Sequence, residues 1–127
     1  MQVFHGRTCN KDRHFANFGL MVDSRANRPC SFAPLFDHGL SLLNCGMRDD
    51  FENPDACAKT RLSAYHVPFE NIVRAFCSAR QREKLRRMSD FSFAQDRTYH
   101  LPAWREKALE AWLRRRAGEL IGLSLQS

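Results

Sequence analysis

The last fifth of the chain constrains its fold most, because apolar side chains recur there every three or four residues. The segment opens at Pro102, and proline suits the first turn of a helix but not its interior. The recurring apolar residues are Trp104, Ala108, Ala111, Trp112, Leu120 and Ile121. This spacing is typical of a helix that buries one face. We therefore predict a long C-terminal helix in which Trp104 and Trp112 anchor the core.

A second helical pattern follows Val67, where Pro68 suits a first helical turn. Its apolar positions are Ile72, Val73, Phe76, Cys77, Leu85 and Met88. Either one long helix or two shorter ones fits this spacing. Residues 43–66 have few periodic apolar positions, which predicts a loop with one or two short helices. Residues 90–101 are polar and aromatic and are predicted to lie outside the helices.

Two short runs with strand-forming residues lie nearer the N-terminus, at 18–22 and 30–36. Residues 23–29 between them are rich in turn formers, so a β-hairpin is predicted. A chain of 127 residues has room for a single modest core. We therefore expect one domain over residues 1–127, of the α+β class and mostly α, with a small hairpin followed by a helical bundle.

Charge and composition limit the partners and the cellular compartment that we expect for the chain. The formal net charge is +6, which is compatible with phosphate-rich partners but does not choose among them. Apolar runs fall far short of the roughly 20 residues that cross a bilayer, and no apolar stretch follows the first charged residues as in a signal peptide. We expect a cytoplasmic protein. The five cysteines include no C-x-x-C pair, which favours reduced thiols, although Cys9 near His14 could also be a nucleophile beside a base.

Three oxygen-bearing side chains flank the predicted hairpin at suggestive spacings. Asp12 is followed five residues later by Asn17, and Asp37 begins an Asp-x-Gly sequence after the hairpin. In kinase active sites, a loop carboxylate accepts the proton of the attacking hydroxyl, and an amide oxygen and a second carboxylate bind Mg²⁺. Each piece alone is a common loop or turn feature. Their order, with strand-like residues between them, indicates a phosphoryl-transfer site in which Gly39 permits a tight turn after Asp37.

The same segment resembles the HipA-like serine/threonine kinases. Their catalytic loop has the form Asn-x-Asp-x-His-x-x-Asn, and this chain matches it at Asn10, Asp12, His14 and Asn17. The run 33–42 is similar to the family's metal-binding segment, Ala-Pro-x-Phe-Asp-x-Gly-x-Ser-Leu. The close matches cover residues 10–43, and the helical remainder is similar to a kinase C-lobe only in general character.

The resemblance implies a role for each matched residue. Asp12 would be the catalytic base, Asn17 and Asp37 the Mg²⁺ ligands, and Asn10, His14 and Gly39 would shape the loops. The cofactors would be ATP and Mg²⁺, and the substrate a protein with a hydroxyl acceptor. Because the family includes toxins of bacterial toxin–antitoxin pairs, an antitoxin partner is implied by analogy.

The chain also departs from the family. Working kinases carry a nucleotide-binding lobe with a glycine-rich loop and a strand lysine before the catalytic loop. Only nine residues precede Asn10, and the six glycines form no such loop. We therefore expect a partial domain without its N-lobe. It would be a fragment of a longer kinase, one half of a split or decayed kinase, or a C-lobe retained for binding, and the isolated chain would be inactive.

A noncatalytic alternative rests on basic residues in the predicted helices. They comprise a run between residues 80 and 87 and the triplet Arg114, Arg115 and Arg116. Glutamates interleave with them, which is typical of a solvated helix face. The alternative function is an interaction module that binds an acidic protein partner or, indirectly, nucleic acid within a larger complex.

Overall fold

The computed structural model describes residues 2–12, 14–34 and 36–125. It is α+β and mostly helical, with a two-stranded antiparallel hairpin followed by helices, as the sequence predicts. Its elements are α1 (Gln2–Thr8), β1 (Leu20–Asp23), β2 (Arg28–Phe32), α2 (Pro54–Lys59), α3 (Phe69–Phe76), α4 (Ala79–Arg86) and α5 (Ala103–Ser124). Single-turn 3-10 helices lie at Phe15–Asn17 and Asp49–Phe51.

The hairpin forms where the turn residues predict it, and its strand limits differ from the expected ones by one to four residues. The carboxylate of Asp23 accepts hydrogen bonds from the backbone N–H groups of Arg25 and Ala26, at 2.9 and 3.3 Å, which fixes the turn. A bulge interrupts the register between Met21 and Val22. The strand expected over 30–36 ends at Phe32, and position 35 lies outside the described residues.

The helices begin at the residues that sequence rules favour. Pro68 and Pro102 immediately precede α3 and α5. Ser78 caps α4 through a reciprocal pair of hydrogen bonds with Gln81, a capping box. The pattern after Val67 is therefore two helices, and α5 begins where the apolar periodicity predicts it.

The short helix α1 was not predicted, and it depends on tertiary contacts. Its seven residues are too few to be stable alone. Gly6 brings α1 against α3 so closely that a Cβ atom there would lie 2.5 Å from Cγ2 of Val73. Gly6 therefore allows an approach that a larger residue would block.

The core lies along α5. Trp112 is fully buried, and its indole Nε1 donates a hydrogen bond of 2.9 Å to the carboxylate of Asp55. Trp104, which the sequence also predicts as a core anchor, is 36% exposed and packs edge-on against Phe51 at the core margin. No helix in the described part of the chain combines the length and apolar character that crossing a membrane requires.

Candidate functional site

Asn10 connects the two loops that carry the predicted site. Its side chain is fully buried just after the end of α1. Its Oδ1 accepts a hydrogen bond of 3.2 Å from the backbone N–H of Asp12, and its Nδ2 donates one of 3.2 Å to the backbone carbonyl of Asp37. One amide side chain therefore holds the two aspartate-bearing segments side by side.

The loop that carries Asp12 is closed by its own side chains. Asn17 Nδ2 donates a hydrogen bond of 2.6 Å to the carbonyl oxygen of Asp12, and Asn17 is 7% exposed. His14 Nδ1 accepts a hydrogen bond of 3.2 Å from the N–H of Ala16. Nε2 of His14 lies 3.9 Å from Oδ1 of Asp12, whose side chain remains 46% exposed. The Asp12 carboxylate is therefore accessible on a loop whose backbone is fixed.

Asp37 has a left-handed backbone conformation, with φ of 55°. This conformation is costly for most residues but is tolerated best by glycine, asparagine and aspartate. Gly39 lies in a turn just after Asp37, as the sequence predicts, and the backbone N–H of Ser41 donates a hydrogen bond of 2.9 Å to the carbonyl of His38 across it. Gly39 does not have a positive φ, and an added Cβ atom would meet nothing within 4 Å. The unusual backbone is at the predicted metal ligand itself.

Further contacts attach the segment after Asp37 to α1. The backbone N–H of Leu42 donates a hydrogen bond of 2.7 Å to the carbonyl of Thr8. The ring of His38 lies edge-on to Phe4, with centroids 5.5 Å apart, and is stacked on His5 at 5.7 Å. These contacts join residues more than thirty positions apart, so sequence spacing could not reveal them.

The side chains that are predicted to bind metal carry oxygen ligands, which suit a hard cation. Asp12 and Asp37 would supply carboxylate oxygens, and Asn17 would supply Oδ1 because its Nδ2 is engaged within the loop. Mg²⁺ prefers one or two such protein oxygens and keeps water or phosphate on its remaining positions. Within residues 2–12, 14–34 and 36–125, no group of three or more His, Cys, Asp or Glu side chains is arranged to hold a metal ion.

The alternative role of Cys9 as a nucleophile does not agree with its surroundings. Cys9 is completely buried at the end of α1, and its Sγ faces the carbonyl of Gly6 at 4.0 Å. Burial raises the pKa of the Cys9 thiol to about 11. A thiol that stays protonated at neutral pH and has no solvent access is a structural residue.

The basic triplet of α5 is not a free cationic surface. Arg116 is 5% exposed, and its guanidinium donates two hydrogen bonds to the carbonyl of Gly6 and one to Glu70. Arg114 and Arg115 are about half exposed, and each forms an ion pair with a carboxylate of the chain, at 3.4 and 2.7 Å. Arg114 and Arg115 therefore lie on an exposed helix face, as the sequence predicts, whereas Arg116 is buried and contradicts that prediction.

Comparison with known proteins gives no relatives. No protein-family model, curated protein or solved structure matches the chain.

Proposed function

We propose that the chain is the C-lobe portion of an ATP- and Mg²⁺-dependent protein serine/threonine kinase of the HipA type. In this proposal Asp12 is the catalytic base, and Asn17 and Asp37 are the metal ligands. The observation that carries the proposal is the pair of hydrogen bonds from Asn10, at 3.2 Å each, to the Asp12 and Asp37 segments. Phosphoryl transfer requires these two segments to lie next to each other.

The accessibility of the side chains agrees with the proposed roles. A general base must come within hydrogen-bond distance of the acceptor hydroxyl, and the Asp12 carboxylate is about half exposed. Asp37 is exposed on the neighbouring segment. Bound Mg²⁺ would neutralise charge on the transferred phosphoryl group. The residues of this chain would orient the hydroxyl, accept its proton and hold the metal in place.

The exposed hairpin supports the idea that a second lobe belongs here. Leu20, Met21, Val22 and Phe32 are 56%, 50%, 53% and 71% exposed. A two-stranded ribbon is marginally stable alone, and contiguous exposed apolar side chains mark interaction surfaces. A nucleotide-binding lobe that packs on this hairpin would cover exposed apolar residues such as Leu20 and Phe32, which pair across the ribbon.

The decisive experiment measures phosphate transfer from radiolabelled ATP to a protein substrate, with the chain joined to its nucleotide-binding lobe. We expect Asp12→Asn to lower the rate by about 100-fold or more, since the base then has no carboxylate. Asp90→Asn, at an exposed position after α4, is the matched control and should retain full activity. Full activity in Asp12→Asn would remove Asp12 from the proposed role.

A second candidate function, a noncatalytic module that binds an acidic partner, rests on α4. Arg80, Lys84 and Arg87 are exposed and spaced along one side of the helix. Within the described ranges, neither Arg80 nor Lys84 has a carboxylate within 4 Å. If this module binds nucleic acid, Arg80→Gln with Lys84→Gln should weaken a gel shift and reduce its salt dependence, while Asp12→Asn should not.

A further inference from the structure

A cavity of about 490 Å³ lies between α1, the turn after Asp37 and the beginning of α5. This volume is in the range of sites that take small organic molecules. Four apolar side chains supply much of its wall: Phe4, Leu42, Leu101 and Leu109. They would fit the body of an apolar ligand.

One cation lines this apolar cavity. Arg105 donates hydrogen bonds to three backbone carbonyls, at 2.9, 3.0 and 3.3 Å. A guanidinium has five N–H donors, so two remain available. In the part of the chain that the structure describes, no carboxylate lies within 4 Å of Arg105. The carbonyls fix the position of the guanidinium, and no described carboxylate forms an ion pair with it.

A buried hydroxyl group lies in the same wall. Ser41 is 7% exposed, and its Oγ has no hydrogen-bond partner among the described residues. Leaving a buried hydroxyl unpaired costs free energy, which a ligand acceptor can recover. Ser41 lines the cavity, so this hydroxyl is an unpaired donor available to an acceptor bound there.

We propose that the cavity binds a small lipophilic carboxylate, an aromatic or aliphatic body with one anionic head. The apolar walls would enclose the body, Arg105 would neutralise the head, and Ser41 would donate to it. This cavity adjoins the proposed phosphoryl-transfer site, because His38 and Gly39, which follow Asp37, also line it. It does not depend on the kinase assignment, because none of its contacts involves Asp12, Asn17 or the carboxylate of Asp37.

The test uses the full 127-residue chain and two probes with the same ring system. Isothermal titration calorimetry compares 2-naphthoate with uncharged 2-naphthalenemethanol at concentrations up to about 1 mM. We expect 2-naphthoate to bind one site about tenfold more tightly, because only the carboxylate interacts with the charge of Arg105. Equal affinity of the two probes, or no binding of 2-naphthoate, would overturn the proposal.

A matched pair of variants assigns binding to this cavity. Leu101 lies at the rim, 36% exposed, in the loop before α5, so Leu101→Gln and Leu101→Glu should both fold. The two variants are alike in size and differ by one negative charge, so Leu101→Glu should bind 2-naphthoate about tenfold more weakly than Leu101→Gln. Identical affinities would show that the probe binds elsewhere.

A third variant tests the hydroxyl group. Ser41→Ala should bind 2-naphthoate about fivefold more weakly than the wild type, and unchanged affinity would contradict the role of Ser41 as a donor.

Discussion

Asn10 and Asp37 are 27 residues apart in the sequence, yet the buried amide of Asn10 donates a 3.2 Å hydrogen bond to the backbone carbonyl of Asp37. The same amide accepts from the N–H of Asp12. The relative position of the two loops thus depends on a side chain with both a donor and an acceptor. Aspartate at position 10 removes only the donor, whereas alanine removes both the donor and the acceptor.

We expect Asn10→Asp to be destabilised by about 2 to 4 kcal/mol, because a buried carboxylate would face the Asp37 carbonyl without a donor. Asn10→Ala loses both hydrogen bonds and should cost about 2 kcal/mol. Urea denaturation of both variants and the wild type measures these free energies of unfolding. Losses below about 0.5 kcal/mol in both would show that Asn10 does not join the loops.

At position 37, the effect of the carboxylate charge can be measured separately from the effect of the left-handed backbone. Asparagine tolerates the left-handed conformation of position 37 as well as aspartate does, so Asp37→Asn should melt within a few degrees of the wild type. If Asp37 binds the metal, the variant should bind Mn²⁺, a paramagnetic substitute for Mg²⁺, about tenfold more weakly. NMR line broadening at residues 12, 17 and 37 reports this binding. Unchanged broadening in Asp37→Asn would remove Asp37 from the ligand set.

The raised pKa of Cys9 makes stability depend on alkaline pH. Its pKa rises from an ordinary value near 9.0 to about 11 through burial, so the folded state holds the thiol proton more tightly than the unfolded chain. This contribution is fully present below pH 9.0 and is lost as the pH rises toward 11. Between pH 8 and pH 10.5 the free energy of unfolding of the wild type should fall by about 2 kcal/mol more than that of Cys9→Ala. Parallel losses in urea titrations of the two proteins would contradict a buried, protonated thiol.

The Arg116 side chain should contribute far more to stability than its two neighbours. Arg116→Met leaves the Gly6 carbonyl and the Glu70 carboxylate without their shared donor and should cost about 3 kcal/mol. Arg114→Ala removes a half-exposed ion pair and should cost less than about 1 kcal/mol. Chemical denaturation compares the two, and equal small losses would show that the buried contacts of Arg116 contribute little.

Local sequence signals predicted the hairpin, α3, α4 and α5, because turn residues, prolines and apolar periodicity act over a few positions. These local signals failed where tertiary contacts determine the structure. Helix α1 has no periodicity of its own, and the contact of Gly6 with Val73 is invisible in the sequence. Within the candidate site, residue types and spacing suggested Asp12, Asn17 and Asp37. The bridging role of Asn10 and the left-handed backbone of Asp37 could be recognised only from coordinates.

Helical periodicity in the sequence predicts that Arg116 is buried, but the run of three arginines drew attention away from it. Position 116 lies at the spacing of the buried α5 residues Leu109, Trp112, Leu113 and Leu120. Periodicity therefore places it on the core side of the helix. Three consecutive arginines suggested a solvated face, although consecutive helical residues point in different directions. Position on the helix, not residue type, determines which of the three is buried.

The two tryptophans of α5 give a final test of the same reasoning. Trp112→Phe loses the hydrogen bond to Asp55 and part of a fully buried ring, so it should cost about 2 kcal/mol. Trp104→Phe alters a ring that is 36% exposed and should cost less than about 1 kcal/mol. Thermal unfolding followed by circular dichroism compares them, and a Trp104 variant as unstable as the Trp112 variant would contradict the margin position of Trp104. The sequence predicts both tryptophans as core anchors. The expected losses of stability differ only because Trp112 is fully buried and Trp104 lies at the core margin.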